Sequence, residues 1–285
     1  MLASAFAAGT TLLAKALGTD ALGAPLHALQ VSHGRFLFAF LAISLAALVL
    51  RPQFTAINLK IHVARSVFGW LGVTCMFAAA AFMALSDATA ISFLNPVFAM
   101  LLAIPFLGEK VGPWRWLAAG TAMIGALILL RPTPDSFQPA ALLALTSAFL
   151  FGGELIFIKR LAGREGPHQI LLVNNVIGLS LSTIAVLFVW SSPTPAQWAA
   201  LAGIGVLMAG AQTCFVNAMA RADASFVAPF FYATLTFAAL YDALIFRVMP
   251  DAISILGAGV ILAGALLLGL RDARNPQASP PAGES

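Results

Sequence analysis

Apolar residues fill this chain in ten runs, near 1–18, 28–50, 62–85, 88–107, 113–131, 139–160, 169–190, 197–220, 224–247 and 252–270. None alternates with a period of two, so each reads as a helix and not a strand. Roughly 20 residues of helix cross the hydrocarbon core of a bilayer. The breaks carry turn chemistry: Arg51-Pro52, Gly112-Pro113, Arg131-Pro132-Thr133-Pro134, Gly166-Pro167, Pro193-Thr194-Pro195 and Pro250-Asp251. The pattern predicts an all-α, polytopic membrane protein with ten transmembrane helices.

The runs also repeat. Ser92 to Phe98 reads SFLNPVF and Ser225 to Phe231 reads SFVAPFF. Each is followed, in the next run, by a glycine pair: Gly120 and Gly125, then Gly259 and Gly264. Five helices per copy is an odd number, so the second copy enters the membrane from the opposite side. Two inverted five-helix repeats around a central cavity are the expected architecture, as in many carriers. The units are 1–131 and 137–271. The polar, proline-rich segment 272–285 is predicted to be a disordered cytoplasmic tail.

Composition changes the picture only by exclusion. The chain is 61% hydrophobic and 9% charged, against roughly 25% charged in a soluble domain. A globular enzyme in water is excluded, and the lipid bilayer is the solvent. The basic residues lie singly or in small groups between apolar runs, which argues against a nucleic-acid partner. Cys75 and Cys214 both fall inside apolar runs and imply no disulfide. Met1 to Leu17 lacks a basic start and reads as a retained first helix. Placing the N-terminus inside puts Arg51, Lys60, Arg65, Lys110, Arg115, Lys159, Arg160, Arg164, Arg221, Arg271 and Arg274 on the cytoplasmic side, and only Arg131 and Arg247 outside. Both termini are then cytoplasmic, in a bacterial inner membrane.

Polar groups within the runs need a reason, since a charge at a helix centre costs roughly 2.5–3.5 kcal/mol. Lys15 lies near a helix end and can snorkel. Arg35 lies roughly 10 Å deep; a clamp on backbone carbonyls and a contact for a substrate carboxylate are both open. His33 points to a different face, as a packing residue or a protonatable one. Glu154 either reaches the interface near Lys159 or carries a proton in the pathway. Asp242, five residues before Arg247, is within reach of water and is, with Glu154 and His33, a candidate for proton exchange. Asp87 reads as a helix cap. Pro96 and Pro229 each remove a helical hydrogen bond at matched places and are candidate hinges. The predicted cavity lining is Trp70, Phe77, Asn95, Phe98, Asn174, Gln212, Asn217, Phe231 and Tyr232, an aromatic wall with a few amides. That suits a small neutral or zwitterionic metabolite. No P-loop and no HExxH occurs, and the four histidines are scattered. Direct ATP use, a metal site and a cofactor are not expected.

Asn95-Pro96-Val97-Phe98, Leu107-Gly108-Glu109, Gly120 through Leu130, Ala228-Pro229-Phe230-Phe231 and Gly259 through Leu268, taken in order, resemble the drug/metabolite transporter superfamily in its ten-helix EamA form. Arg35 stands where that family usually has an arginine in its second helix. Ala8-Gly9 replaces the family's tryptophan-glycine pair, and Arg247-Val248 replaces the acid expected late in the second half. Glu109 matches Asp242 when counted from the prolines and Val248 when counted from the glycines. The resemblance implies a secondary transporter, not an enzyme. Its nearest likeness is to exporters of amino acids, aromatic or hydrophobic, working by alternating access. A carrier for another metabolite or drug class, an intramembrane enzyme and a non-transporting assembly protein are the competing readings. The sequence sets no oligomeric state and is compatible with a monomer.

Overall fold

The computed structural model describes residues 2–50, 55–108, 111–130, 139–161, 164–221 and 233–274. All regular elements among them are helical. They are α1 Leu2–Gly18, α2 Ala28–Leu50, α3 Leu59–Phe82, α4 Leu85–Ser92, α5 Asn95–Leu107, α6 Pro113–Leu130, α7 Pro139–Leu161, α8 Pro167–Val186, α9 Pro195–Arg221, α10 Ala233–Tyr241 and α11 Ala252–Arg274. Four begin on a proline, whose missing N–H costs nothing there and whose φ is already helical. Thr194 and Gln197 cap α9 reciprocally: Gln197 N–H donates to Thr194 Oγ1 at 3.2 Å, and Thr194 N–H to Gln197 Oε1 at 2.9 Å. Asn58 caps α3 by accepting from Ile61 N–H.

α2, α3, α7 and α8, and α4 with α5 together, are each long and apolar enough to cross a bilayer. Large apolar side chains such as Leu48, Phe82, Leu187 and Phe188 stand exposed on the outside. Water would not tolerate such a surface, but lipid does.

Helix packing repeats the sequence symmetry. α1 packs on α9 as α7 packs on α3; α2 packs on α9 as α8 packs on α3; α5 packs on α7 as α10 packs on α1. α2 meets its own counterpart α8, α4 meets α10, and α6 meets α11. Each relation is what a two-fold axis in the membrane plane produces. The chain is thus a ten-span helical protein of two inverted five-span halves. At the α6–α11 crossing the matched glycines do the same work. A Cβ on Gly125 would lie 2.6 Å from Ile261 N, and one on Gly264 would lie 2.5 Å from Ala122 N. Small residues there let the two backbones touch. Gly120 and Gly259 face open space instead.

Several expectations change. The fourth run is not one helix: it breaks at Phe93-Leu94 into α4 and α5. Pro96 is the second residue of α5, not a mid-helix kink, because its ring excludes a continuous helix through the preceding turn. Asp87 does not cap α4. It lies buried in the first turn and accepts from Ser254 Oγ of α11 at 3.0 Å. α11 runs on through Arg274, taking in the first three residues of the predicted tail. Glu109, Pro229, Phe231, Tyr232 and the tail beyond Arg274 lie outside the described residues.

Candidate functional site

Among the described residues, two groups of buried charges are built differently from each other. The first joins α1 to α10. Lys15 Nζ donates to Asp242 Oδ1 at 2.6 Å, and the other carboxylate oxygen accepts Ser86 N–H of α4 at 3.0 Å. Asp242 is fully buried and Lys15 is 7% exposed. Lys15 therefore does not snorkel, and Asp242 does not reach water. Each supplies the other's counter-charge, which is cheaper in lipid than two separate excursions to the surface. Asp242 opens a single π turn over Asp242–Phe246, which Arg247 ends in the left-handed conformation (φ 55°) with its side chain exposed.

The second group lies among α2, α3, α7 and α8. Arg65 of α3 holds Glu154 of α7 at 3.3 Å and donates from Nη1 to the Ile170 carbonyl of α8 at 3.1 Å. Gly69, one turn above Arg65, makes room for the Glu154 carboxylate: a Cβ there would stand 2.9 Å from its carbon. Arg35 of α2 is 7% exposed and within electrostatic reach of both Arg65 and Glu154. Its guanidinium carbon lies 4.5 Å from the Phe36 ring centroid, a cation–π contact. Beside Arg65, Ser66 donates to Asn174 Oδ1 of α8 at 3.0 Å.

This second group is unfinished. Arg35 Nε and Nη1 and Arg65 Nε are buried without a hydrogen-bond partner among the described residues; Trp70 Nε1, Gln212 Oε1, Ser86 Oγ and His62 Nδ1 are so at other positions. Native interiors pair nearly all such atoms, and an orphan in low dielectric is costly. Two cations share one carboxylate, so the group carries excess positive charge and spare N–H donors. A ligand with acceptor atoms would complete it.

The predicted site residues divide accordingly. Arg35 and Glu154 are brought within electrostatic reach of each other, Asn174 stands beside Arg65 through Ser66, and Trp70 and Gln212 lie on α3 and α9. Phe77 is core: it is 3% exposed and belongs to a cluster with Phe36, Leu201 and Ile204. Phe98 packs edge-on to Phe149 with centroids 5.6 Å apart. The backbone carbonyl of Asn95, at the start of α5, lies against Gly152. His33 is half-buried, with Nδ1 3.4 Å from Ser182 Oγ and 3.5 Å from Thr183 Oγ1. That is a packing contact with α8, apart from the arginine centre. Asn217 lies in α9, but its side chain is outside the described residues. Arg65 was missed: it was counted with the cytoplasmic cations, yet it is only 4% exposed. Its position inside the third apolar run was the available signal. Among the described residues no group of His, Cys, Asp and Glu is placed to hold a metal ion.

Residues 1–131 and 138–270 each match the EamA-like transporter family. The chain belongs to that family. This EamA-like protein is 30% identical over 235 residues to a riboflavin transporter of Vibrio cholerae, covering 79% of each chain. It is 36% identical over 208 residues to a riboflavin transporter of Rhizobium johnstonii, covering 73% of this chain and 69% of the relative. An S-adenosylmethionine uptake transporter of Rickettsia bellii is 27% identical, covering 87% and 85%. A solved structure superposes with a TM-score of 0.62 at 20% identity, covering 95% of this chain and 98% of the other, and shares the fold. An EamA-like chain is a multi-pass membrane transporter of small molecules, not an enzyme. Amino-acid export does not follow from these relatives.

Proposed function

We propose that this transporter binds its solute at the Arg35–Arg65–Glu154 centre and moves it by alternating access, with units 1–131 and 137–271 rocking about it. The observation that carries the reading is the set of unpaired N–H donors on Arg35 and Arg65, buried within the bundle. Riboflavin is the first solute to test. Two relatives bear that name at 30% and 36% identity, and a planar ring system edged with carbonyl acceptors suits guanidinium donors. A specific observation favours a second reading, an aromatic or hydrophobic amino acid. The centre presents both signs of charge, so a carboxylate meets Arg35 and an ammonium meets Glu154. Glu154 is the candidate proton carrier, in preference to His33 and the already paired Asp242. The break before Pro96, with Pro229 as its counterpart, is the proposed hinge. The basic end of the bundle is assigned to the cytoplasm, with both termini there, and one chain holds the whole centre.

Purified protein in liposomes tests this. Riboflavin entry, followed by its fluorescence and undiminished by excess phenylalanine, tryptophan or threonine, supports the first reading. Movement of labelled amino acid without riboflavin movement supports the second. No flux of either kind defeats both.

A further inference from the structure

The two-fold axis relates a second pair of features, and they sit at opposite ends of the bundle. Gln30 is the third residue of α2 and Gln169 the third residue of α8. Gln30 Nε2 donates to the Ser191 carbonyl at 2.6 Å, while its Oε1 accepts from Ser191 N–H at 3.1 Å and Ser191 Oγ at 3.0 Å. Gln169 Nε2 donates to the Thr55 carbonyl at 3.2 Å, while its Oε1 accepts from Thr55 N–H at 2.7 Å and Thr55 Oγ1 at 3.3 Å. The same three bonds are made twice. Ser191 stands four residues before α9 and Thr55 four residues before α3. Each glutamine is 1% exposed.

Both clasps bind one half of the protein to the other. Gln30 lies in the first half and grips the α8–α9 connection of the second. Gln169 lies in the second half and grips the α2–α3 connection of the first. α2 and α8 start at opposite ends of the bundle, so the clasps lie at opposite ends. Their surroundings differ. At the Gln169 end, Glu165 receives Gln169 Nε2 at 2.6 Å, approaches His62 Nε2 at 2.8 Å and accepts Asn58 N–H at 3.1 Å. At the Gln30 end, Gln197 Nε2 adds a bond to the Ala24 carbonyl at 2.8 Å, with no ionisable partner among the described residues.

We infer that Gln30 and Gln169 are the two gate residues of the carrier, each holding one mouth shut while the other opens. This rests on the alternating-access reading above. A side-chain amide that bonds both backbone groups of one residue ties two segments as a strand pairing does, and rigid halves that rock must break one such tie at a time.

Hydrogen–deuterium exchange on the full chain in lipid nanodiscs tests it without any substrate. Gln169→Ala should speed exchange by about tenfold at the amides of 55–62 and 164–170, while those of 26–31 and 191–198 stay as slow as before or slower. Gln30→Ala should give the reverse. An equal rise at both ends in either variant, or no rise beyond the altered residue, overturns the inference. Gln169→Met and Gln30→Met keep the volume and remove both donor and acceptor; they decide by the same criterion where an alanine variant does not yield folded protein. Riboflavin flux by the unaltered protein reads separately on the carrier proposal, so the two fail independently.

Discussion

The Lys15–Asp242 pair and the Arg35–Arg65–Glu154 centre are both buried charges in lipid, yet one is closed and the other open. Asp242 meets one ammonium and one backbone N–H at short range. Glu154 lies in the field of two guanidiniums, and its one close contact, with Arg65, is longer, at 3.3 Å. What separates a structural charge from a binding charge here is satisfaction, not burial or depth. A closed pair has nothing left to offer a solute. The open centre keeps N–H groups on Arg35 and Arg65 without partners, a cost that the folded state carries and a ligand relieves.

The largest effect should come from breaking the closed pair. Lys15→Ala leaves a fully buried carboxylate without its cation, a loss of about 3–5 kcal/mol. Thermal unfolding in detergent should show the variant markedly less stable. Lys15→Met with Asp242→Leu should recover much of the loss. A single variant as stable as the parent would place this pair with the open centre.

The open centre should behave in the opposite way. Arg35→Met leaves Arg65 and Glu154 as a one-to-one pair, and it removes two orphaned donors. The unfolding temperature should hold or rise, while riboflavin affinity, read by fluorescence titration, falls at least about tenfold, or 1.4 kcal/mol. Stability gained where binding is lost is the signature of a strained site. If stability and affinity fell together, Arg35 would be a structural clamp on the backbone instead.

The sequence made this contrast half legible. Ten apolar runs, the doubled proline and glycine pattern and the odd helix count were enough for the inverted, ten-span fold, because the bilayer leaves few alternatives. Arg35 and Glu154 were marked as charges needing an explanation. Their connection through Arg65 was not visible, since a basic residue near a run boundary reads as a topological anchor until α3 is seen to start at Leu59. Lys15 and Asp242 were misread for the complementary reason. They are 227 positions apart, and no periodicity links the ends of two halves. The clasp glutamines drew no notice, because an amide beside a helix start is ordinary and only the two-fold relation makes it a pair.

Glu154→Gln sharpens the comparison within the open centre. It should leave the protein folded, since Gly69 provides the same space for an amide. Flux that varies between about pH 6 and 8 in the parent should become flat if this carboxylate carries the proton. A flux profile that keeps its shape would leave Glu154 as a fixed counter-charge and remove coupling from this site.

Glu165 supplies the intermediate case and the smallest expected effect. Burial pushes its carboxyl up, but hydrogen bonds from His62, the Asn58 backbone and Gln169, with the His62 charge, outweigh that and hold it below the ordinary value of 4.5. A carboxylate depressed on folding adds stability above its unfolded pKa and loses it as pH falls through the folded one. The Gln169 clasp should therefore be indifferent to pH from about 5 to 8 and loosen only under stronger acid. Lys60 and Arg164 line the adjoining cleft of about 480 Å³ with Glu165. Glu165→Gln keeps the geometry and removes the titration, so its exchange rates at 55–62 should lose their acid dependence, at a cost of about 1 kcal/mol in the clasp.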